Sequence, residues 1–134
     1  DRFFPEGCRY DYIVDAIDLV SCKLDLAETA LKLNIPLIAA LGTGNKLDPT
    51  LLQVTDISKT YGCPLARVMR KELRRRGIER LQVVFSPEEA RETEQTETPP
   101  PGRRSVPGSA VWVPASAGLL MAQAIVLKIA GGET

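Results

Sequence analysis

Hydrophobic and polar positions change period several times along the chain, and each change marks an element. YDYIVDAI (Tyr10–Ile17) is a short run of β-branched, aromatic and aliphatic residues, the pattern of a buried strand. From Leu19 to Leu33, Val20, Leu24, Ala27 and Leu31 recur at helical spacing and predict one core-facing stripe. Asp18 stands just before them, where a carboxylate can cap the first turn. Asn34 suits a helix stop, and IPLIAAL (Ile35–Leu41) is a second buried strand. Strand, helix and strand in so short a span predict a βαβ unit with parallel strands. GTGN (Gly42–Asn45) turns the chain, with Gly42 and Gly44 offering positive φ and close backbone approach. Leu65–Arg76 is a basic amphipathic helix ended by Gly77, and LQVVF (Leu81–Phe85) is a third strand. SAVWV (Ser109–Val113) reads as a strand and Ala115–Ala130 as a helix, with Gly118 permitting close packing on a sheet. The class predicted is α/β with a mainly parallel sheet.

One stretch breaks the periodicity. Ser86–Gly108 is almost devoid of apolar residues and holds five prolines. It cannot bury enough surface to offset its ordering entropy, so it is expected to be a disordered linker. The predicted organisation is therefore residues 1–86, an acidic and Pro-rich linker at 87–108, and a closing strand and helix at 109–134 of the same domain. The window Ala110–Ala130 has the hydropathy of a membrane span, but Pro114, Ser116, Gln123 and Lys128 interrupt it. A buried strand and helix is the preferred reading, and stable membrane insertion is not expected.

Composition narrows the chemistry. With 134 residues, the chain has the size of one domain. Seventeen Lys and Arg balance seventeen Asp and Glu, which excludes a uniformly basic nucleic-acid coat. The balance is local, however: Ala66–Arg80 carries seven basic residues against two acidic ones, a net of +5. Pro87–Thr98 carries five Glu against one Arg, a net of −4. No histidine is present, which removes Ser-His and Cys-His nucleophile pairs and His metal sites from this chain. Cys8, Cys22 and Cys63 show no CxxC spacing, and free thiols of this kind suit a reducing cytosol. The start, DRFFPEGC, lacks the pattern of a signal peptide and lacks Met, which raises the expectation of a fragment.

Four features could carry function. Asp18 lies beyond the carboxyl end of a predicted parallel strand, where open α/β sheets bind ligands, so it either holds magnesium or a nucleotide or caps its helix. GTGNKLDPT (Gly42–Thr50) is the next strand-end loop, but it has neither GxGxxG nor GxxxxGK[ST], so it is a ligand loop or a bare turn. Cys63 precedes Pro64 and the basic helix, where cations and a helix N-terminus favour a thiolate; the alternative is a small buried residue. Arg67, Arg70, Lys71, Arg74 and Arg75 form either an RNA-backbone contact or a solvated face.

Taken together, YDYIVDAIDLVSCKLDL, IPLIAALGTGNKLDPTLLQVTDISKTYGCPLARVMRKELRRRGI and LQVVFS resemble the second half of a ThiF/MoeB/HesA-type adenylating protein. Within that superfamily they resemble the tRNA threonylcarbamoyladenosine dehydratase branch. GSAVWVPASAGLLMAQAIVLKIAG resembles the strand and helix that close the same fold, and only Thr93–Gly108 falls outside the likeness. The resemblance implies a Rossmann-like sheet of the ubiquitin-activating type. It also implies ATP-dependent adenylation of the threonylcarbamoyladenosine carboxylate beside the tRNA anticodon, then cyclisation with release of AMP. By the same resemblance Asp18 and Leu19 contact ATP and magnesium, while Asp15 serves the strand end structurally. A cytoplasmic homodimer is implied, with tRNA as partner. The superfamily offers an alternative: activation of a ubiquitin-like carrier protein, or sulfur handling through Cys63 beside a cysteine desulfurase system. A non-catalytic dimerisation module is a further alternative. The family's Gly-rich loop, its triphosphate-handling Arg and Lys and its first strands have no counterpart here, so a C-terminal segment inactive by itself is expected.

Overall fold

The computed structural model describes residues 9–89 and 111–131. Their elements are β1 (Ile13–Asp15), α1 (Val20–Leu33), β2 (Leu37–Ala40), β3 (Gln53–Asp56), α2 (Pro64–Arg75), β4 (Gln82–Phe85) and α3 (Trp112–Ile129). Two single 3-10 turns, Pro49–Leu51 and Ile57–Lys59, flank β3. The strands form one sheet in the order β1-β2-β4-β3. β1 and β4 both run parallel to β2, with Val14 opposite Ile38 and Ala39 opposite Val83. β3 pairs antiparallel with β4, Val54 opposite Val84. The mainly parallel α/β class holds, with an antiparallel edge that the hydrophobic pattern did not announce. β3 (QVTD) alternates weakly and is only partly buried, so it lacks the apolar run that betrayed β2 and β4.

Successive residues of the central strands face opposite sides of the sheet and fill two cores. Leu37, Ala39, Val83 and Phe85 join Leu24, Ala27, Ala30, Ala66, Met69 and Leu73 beneath α1 and α2. Ile38 and Val84 point the other way, against Val113, Ala117, Met121 and Ala124 of α3. Phe85 is fully buried, edge-on to Tyr61 with ring centroids 5.7 Å apart. Burying such a ring contributes on the order of 1.5–3 kcal/mol.

Helix ends follow the local chemistry. Asn34 takes the left-handed conformation (φ 56°) expected of a stop residue. It lets Asn34 N–H reach Leu31 O (3.1 Å) and Ile35 N–H reach Ala30 O (2.9 Å). Gly77 (φ 76°) closes α2 in the same manner, with Gly77 N–H on Arg74 O (3.0 Å) and Ile78 N–H on Leu73 O (2.9 Å). Pro64 opens α2 at a position that needs no amide hydrogen.

Several expectations are corrected. The strand expected over Tyr10–Ile17 is only Ile13–Asp15. Leu31 is 64% exposed, and the stripe runs through Lys23, Leu24, Ala27 and Ala30 instead. The strand expected at Ser109–Val113 is a turn at Val111 and the start of α3 at Trp112, residues 109–110 lying outside the described residues. Pro114 is tolerated there because first-turn amides lack helical acceptors. Gly118 does not pack on the sheet: it is exposed, and a Cβ there would meet nothing within 4 Å. Most of the expected linker lies outside the described residues. Its first part does not: the Glu88 carboxylate accepts the amides of Leu47 and Asp48, both at 2.8 Å.

α3 is apolar over most of its surface, broken by Ser116, Gln123 and Lys128. It is long and apolar enough to cross a membrane by length and composition, and its inner face packs on the sheet. Its outer face leaves Leu119, Ala122, Val126 and Ile129 exposed at heptad-like spacing.

Candidate functional site

Parallel β1 and β2 end side by side, and their carboxyl ends open into a crevice of about 310 Å³. Ala16, Ile17, Asp18, Gly42 and Thr43 form its strand-end rim, and Pro114, Ala117, Gly118 and Met121 of α3 form the opposite wall. Asp18 is exposed on that rim. It does not cap α1: the residue before the helix is Leu19, and no side chain bonds the first turn. Leu19 is 60% exposed beside it. The crevice thus combines an exposed carboxylate with a helix start whose amides have no side-chain acceptor.

Lys23 also lines the crevice and pairs with Asp15, each of the two 1% exposed. Lys23 Nζ donates to Asp15 Oδ1 (3.1 Å) and to Ala40 O (2.7 Å), and Ile17 N–H donates to the same Asp15 oxygen (2.8 Å). Asp15 thus accepts its hydrogen bonds from within the fold at the end of β1. Lys23 was not anticipated. Its signal was present, because a lysine three residues after Val20 falls within the apolar stripe of α1 and needs a buried partner.

The loop Gly42–Thr50 is tied down on several sides. Lys46, 4% exposed, donates to Ser86 O (2.8 Å), Trp112 Nε1 donates to Leu47 O (2.7 Å), and Asp48 accepts from Thr50 N (2.9 Å). The bonds from Thr50 to Asp48 hold that carboxyl below its usual range. Neither Gly42 nor Gly44 uses positive φ; the left-handed residue is Asn45 (φ 60°). Gly42 instead borders the crevice, where an added Cβ would meet only Leu65 Cδ2 at 3.8 Å.

Away from the crevice, α2 walls an open depression of about 1010 Å³, lined by Gly62, Cys63, Arg67, Lys71, Arg74 and Arg75 among others. Arg70 also borders it but is turned to the carbonyl (3.0 Å) and hydroxyl of Thr60. Arg75 pairs with Glu72 at 3.1 Å. Arg67, Lys71 and Arg74 are exposed and form no ion pair among the described residues. Cys63 sits at the head of the depression, 5% exposed, immediately before α2. No group of three or more Cys, Asp or Glu that could hold a metal ion occurs among the described residues.

The sheet is mainly parallel, with an exposed carboxylate and an uncapped helix at its strand ends, and the solved structure of TcdA, which the chain resembles, has a ThiF-like, Rossmann-type fold. No protein-family profile matches the chain. It is 38% identical over 138 residues to the tRNA threonylcarbamoyladenosine dehydratase of Bacillus subtilis, covering 96% of this chain and 54% of that one. It is 47% identical over 79 residues to tRNA threonylcarbamoyladenosine dehydratase 2 of Saccharomyces cerevisiae, 58% of this chain and 18% of that one. The AMP complex of the Escherichia coli dehydratase TcdA superposes with a TM-score of 0.78 at 30% identity, over 97% of this chain and 52% of that one. Its ATP complex superposes with a TM-score of 0.61 at 31% identity, over 88% and 51%. The chain is thus similar to tRNA threonylcarbamoyladenosine dehydratases over most of its own length, and it spans about half the length of the Bacillus relative and of these structures.

Proposed function

We propose that the polypeptide carrying this chain is an ATP-dependent tRNA threonylcarbamoyladenosine dehydratase, and that the strand-end crevice contributes to its nucleotide site. The observation that carries this reading is the 38% identity to a named dehydratase across 96% of the chain. Bound ATP would supply the phosphoanhydride that turns the substrate carboxylate into an activated mixed anhydride before ring closure.

The residues of this chain suit part of that task. Asp18 offers one hard oxygen ligand, and magnesium at nucleotide sites commonly takes one or two carboxylates together with phosphate oxygens. Leu19 follows at the same rim, and the first-turn amides of α1 favour negative charge beside it. Gly42 lets a ligand approach the backbone. Among the described residues Lys23 is the one cation lining the crevice, and it is already paired with Asp15, so the charge of a triphosphate calls for further cations. Arg67, Lys71, Arg74 and Arg75, with Arg70 at their inner edge, provide a basic face for the tRNA backbone. The exposed apolar face of α3 supports a homodimer, and the reading places the protein in the cytoplasm.

The alternative of carrier-protein activation or sulfur transfer through Cys63, with a cysteine desulfurase system as partner, is not favoured. Cys63 is buried against the core, where a thiol behaves as a small apolar residue. The dehydratase reading is tested by incubating the longest natural polypeptide that contains this chain with Mg-ATP and tRNA bearing threonylcarbamoyladenosine. Cyclic product with equimolar AMP is expected, and absence of both would sink the proposal.

A further inference from the structure

Lys23 is buried to 1% exposure although it carries a cation, on the core-facing stripe of α1 where Leu24, Ala27 and Ala30 are apolar. Holding an ammonium there requires compensation, and Asp15 supplies it at 3.1 Å. A buried ion pair of this kind is weak evidence for stability, because well-packed apolar residues of similar volume often hold a fold equally well. What the pair does here is geometric. One oxygen, Asp15 Oδ1, gathers the end of β1, the amide of Ile17 and the lysine of α1. Lys23 then reaches across to Ala40 O at the end of β2. These tethers enclose the short turn from Ala16 to Leu19 that presents Asp18, and Lys23 itself lines the crevice with Asp18, Gly42 and Thr43.

We propose that Lys23, through Asp15, is a positioning residue: the pair fixes the turn that aims the Asp18 carboxylate at metal-bound nucleotide and sets the separation of the two strand ends. This rests on reading the crevice as part of the ATP site. An apolar pair in the same volume would keep the helix packed on the sheet but would not fix the direction of the turn.

The test uses the longest natural polypeptide containing this chain, with thermal midpoint, kcat and KM for Mg-ATP measured on each variant. Lys23→Met lowers the midpoint, because it leaves the Asp15 carboxylate buried and unpaired. Asp15→Leu combined with Lys23→Met restores the midpoint, yet KM for Mg-ATP stays raised by about tenfold to a hundredfold. Lys23→Arg, which keeps the charge but changes its reach, raises KM by less and leaves the midpoint close to that of the parent. Recovery of both midpoint and KM in the double variant would overturn the proposal, since the pair would then be structural only. Should the double variant fail to fold, Lys23→Arg decides alone: an unchanged KM overturns the proposal. Asp18→Ala is measured alongside. If it changes neither kcat nor KM, the ATP-site reading falls and the positioning role falls with it. If Asp18→Ala acts and the Lys23 variants do not, only the positioning role is lost.

Discussion

At the strand-end crevice Lys23 and Asp15 lie out of solvent and direct their hydrogen bonds to each other, to Ile17 N–H and to Ala40 O. Along α2, Arg67, Lys71 and Arg74 stand exposed without an ion-pair partner among the described residues. The first arrangement has one low-energy geometry and is little affected by salt. The second has many geometries, is screened within roughly 10 Å at 0.1 M salt, and can follow a flexible polyanion. The difference teaches that charge is locked into one geometry at one end of this fold and left free in solvent at the other, where under the proposed function it attracts RNA. Each region should therefore fail in its own way when its charges are removed.

Asp18 gives the largest expected effect. It is exposed and does not cap α1, and under the proposed nucleotide site it stands where transition-state charge would develop. Asp18→Ala should lower ATP-dependent turnover by about a hundredfold to a thousandfold, as removal of a preorganised electrostatic group does elsewhere. Stability should change by no more than about 0.5 kcal/mol, because no cap or buried contact is lost. Steady-state kinetics beside a thermal melt check both halves. A large loss of stability with little loss of turnover would reverse the contrast and return Asp18 to a structural role.

The sequence disclosed these two regions unequally. The βαβ unit was legible because β2 is a continuous apolar run and Asn34 and Gly77 are strong helix stops. Asp18 was legible as a strand-end carboxylate, and the basic helix by its charge. What stayed hidden depended on tertiary contact. Lys23 stands out on the apolar stripe of α1, but its partner, Asp15 at 3.1 Å, is set by tertiary packing. Trp112 and Val113 have strand propensity, yet they open α3, where Val113 packs into the core against Ile38 and Val84. Glu88 sits in a stretch whose composition reads as solvated, but its carboxylate meets two loop amides from forty positions upstream.

The basic face gives an intermediate effect, and ionic strength reveals it. Replacing Arg67, Lys71 and Arg74 together by Gln should reduce the salt dependence of tRNA binding, with the slope of log K against log salt falling by about 2. That follows from about 0.7 per phosphate contact on single-stranded RNA. Turnover at saturating tRNA should be nearly preserved, since none of the three borders the crevice. Filter binding across a salt series measures the slope. An unchanged slope would make α2 a solvated face with no RNA role.

The smallest effect concerns Asp56, which lies between the two extremes. Partial burial pushes its carboxyl upward, but hydrogen bonds from the Ser58 hydroxyl and amide and from Leu81 N–H, with the charge of Arg80, outweigh it and hold the group below its ordinary value. Leu81 N–H lies 3.0 Å from Oδ1, so the carboxylate joins the end of β3 to the start of β4. A depressed folded-state value means that ionised Asp56 contributes stability in full above the unfolded carboxyl value of about 3.9, and loses it as pH falls through the lower folded value. Because the group is only partly buried and its interactions are screened by solvent, the increment should stay below about 1 kcal/mol. Asp56→Asn should therefore melt slightly below the parent at pH 7, with the gap constant down to about pH 5 and vanishing at strongly acid pH. Taking the difference between the two proteins removes the parallel contribution of Asp48, whose carboxyl is also held low. A gap that persists unchanged in strong acid would show that the interaction survives protonation, and that Asp56 acts as a neutral hydrogen-bonding group rather than as a charge.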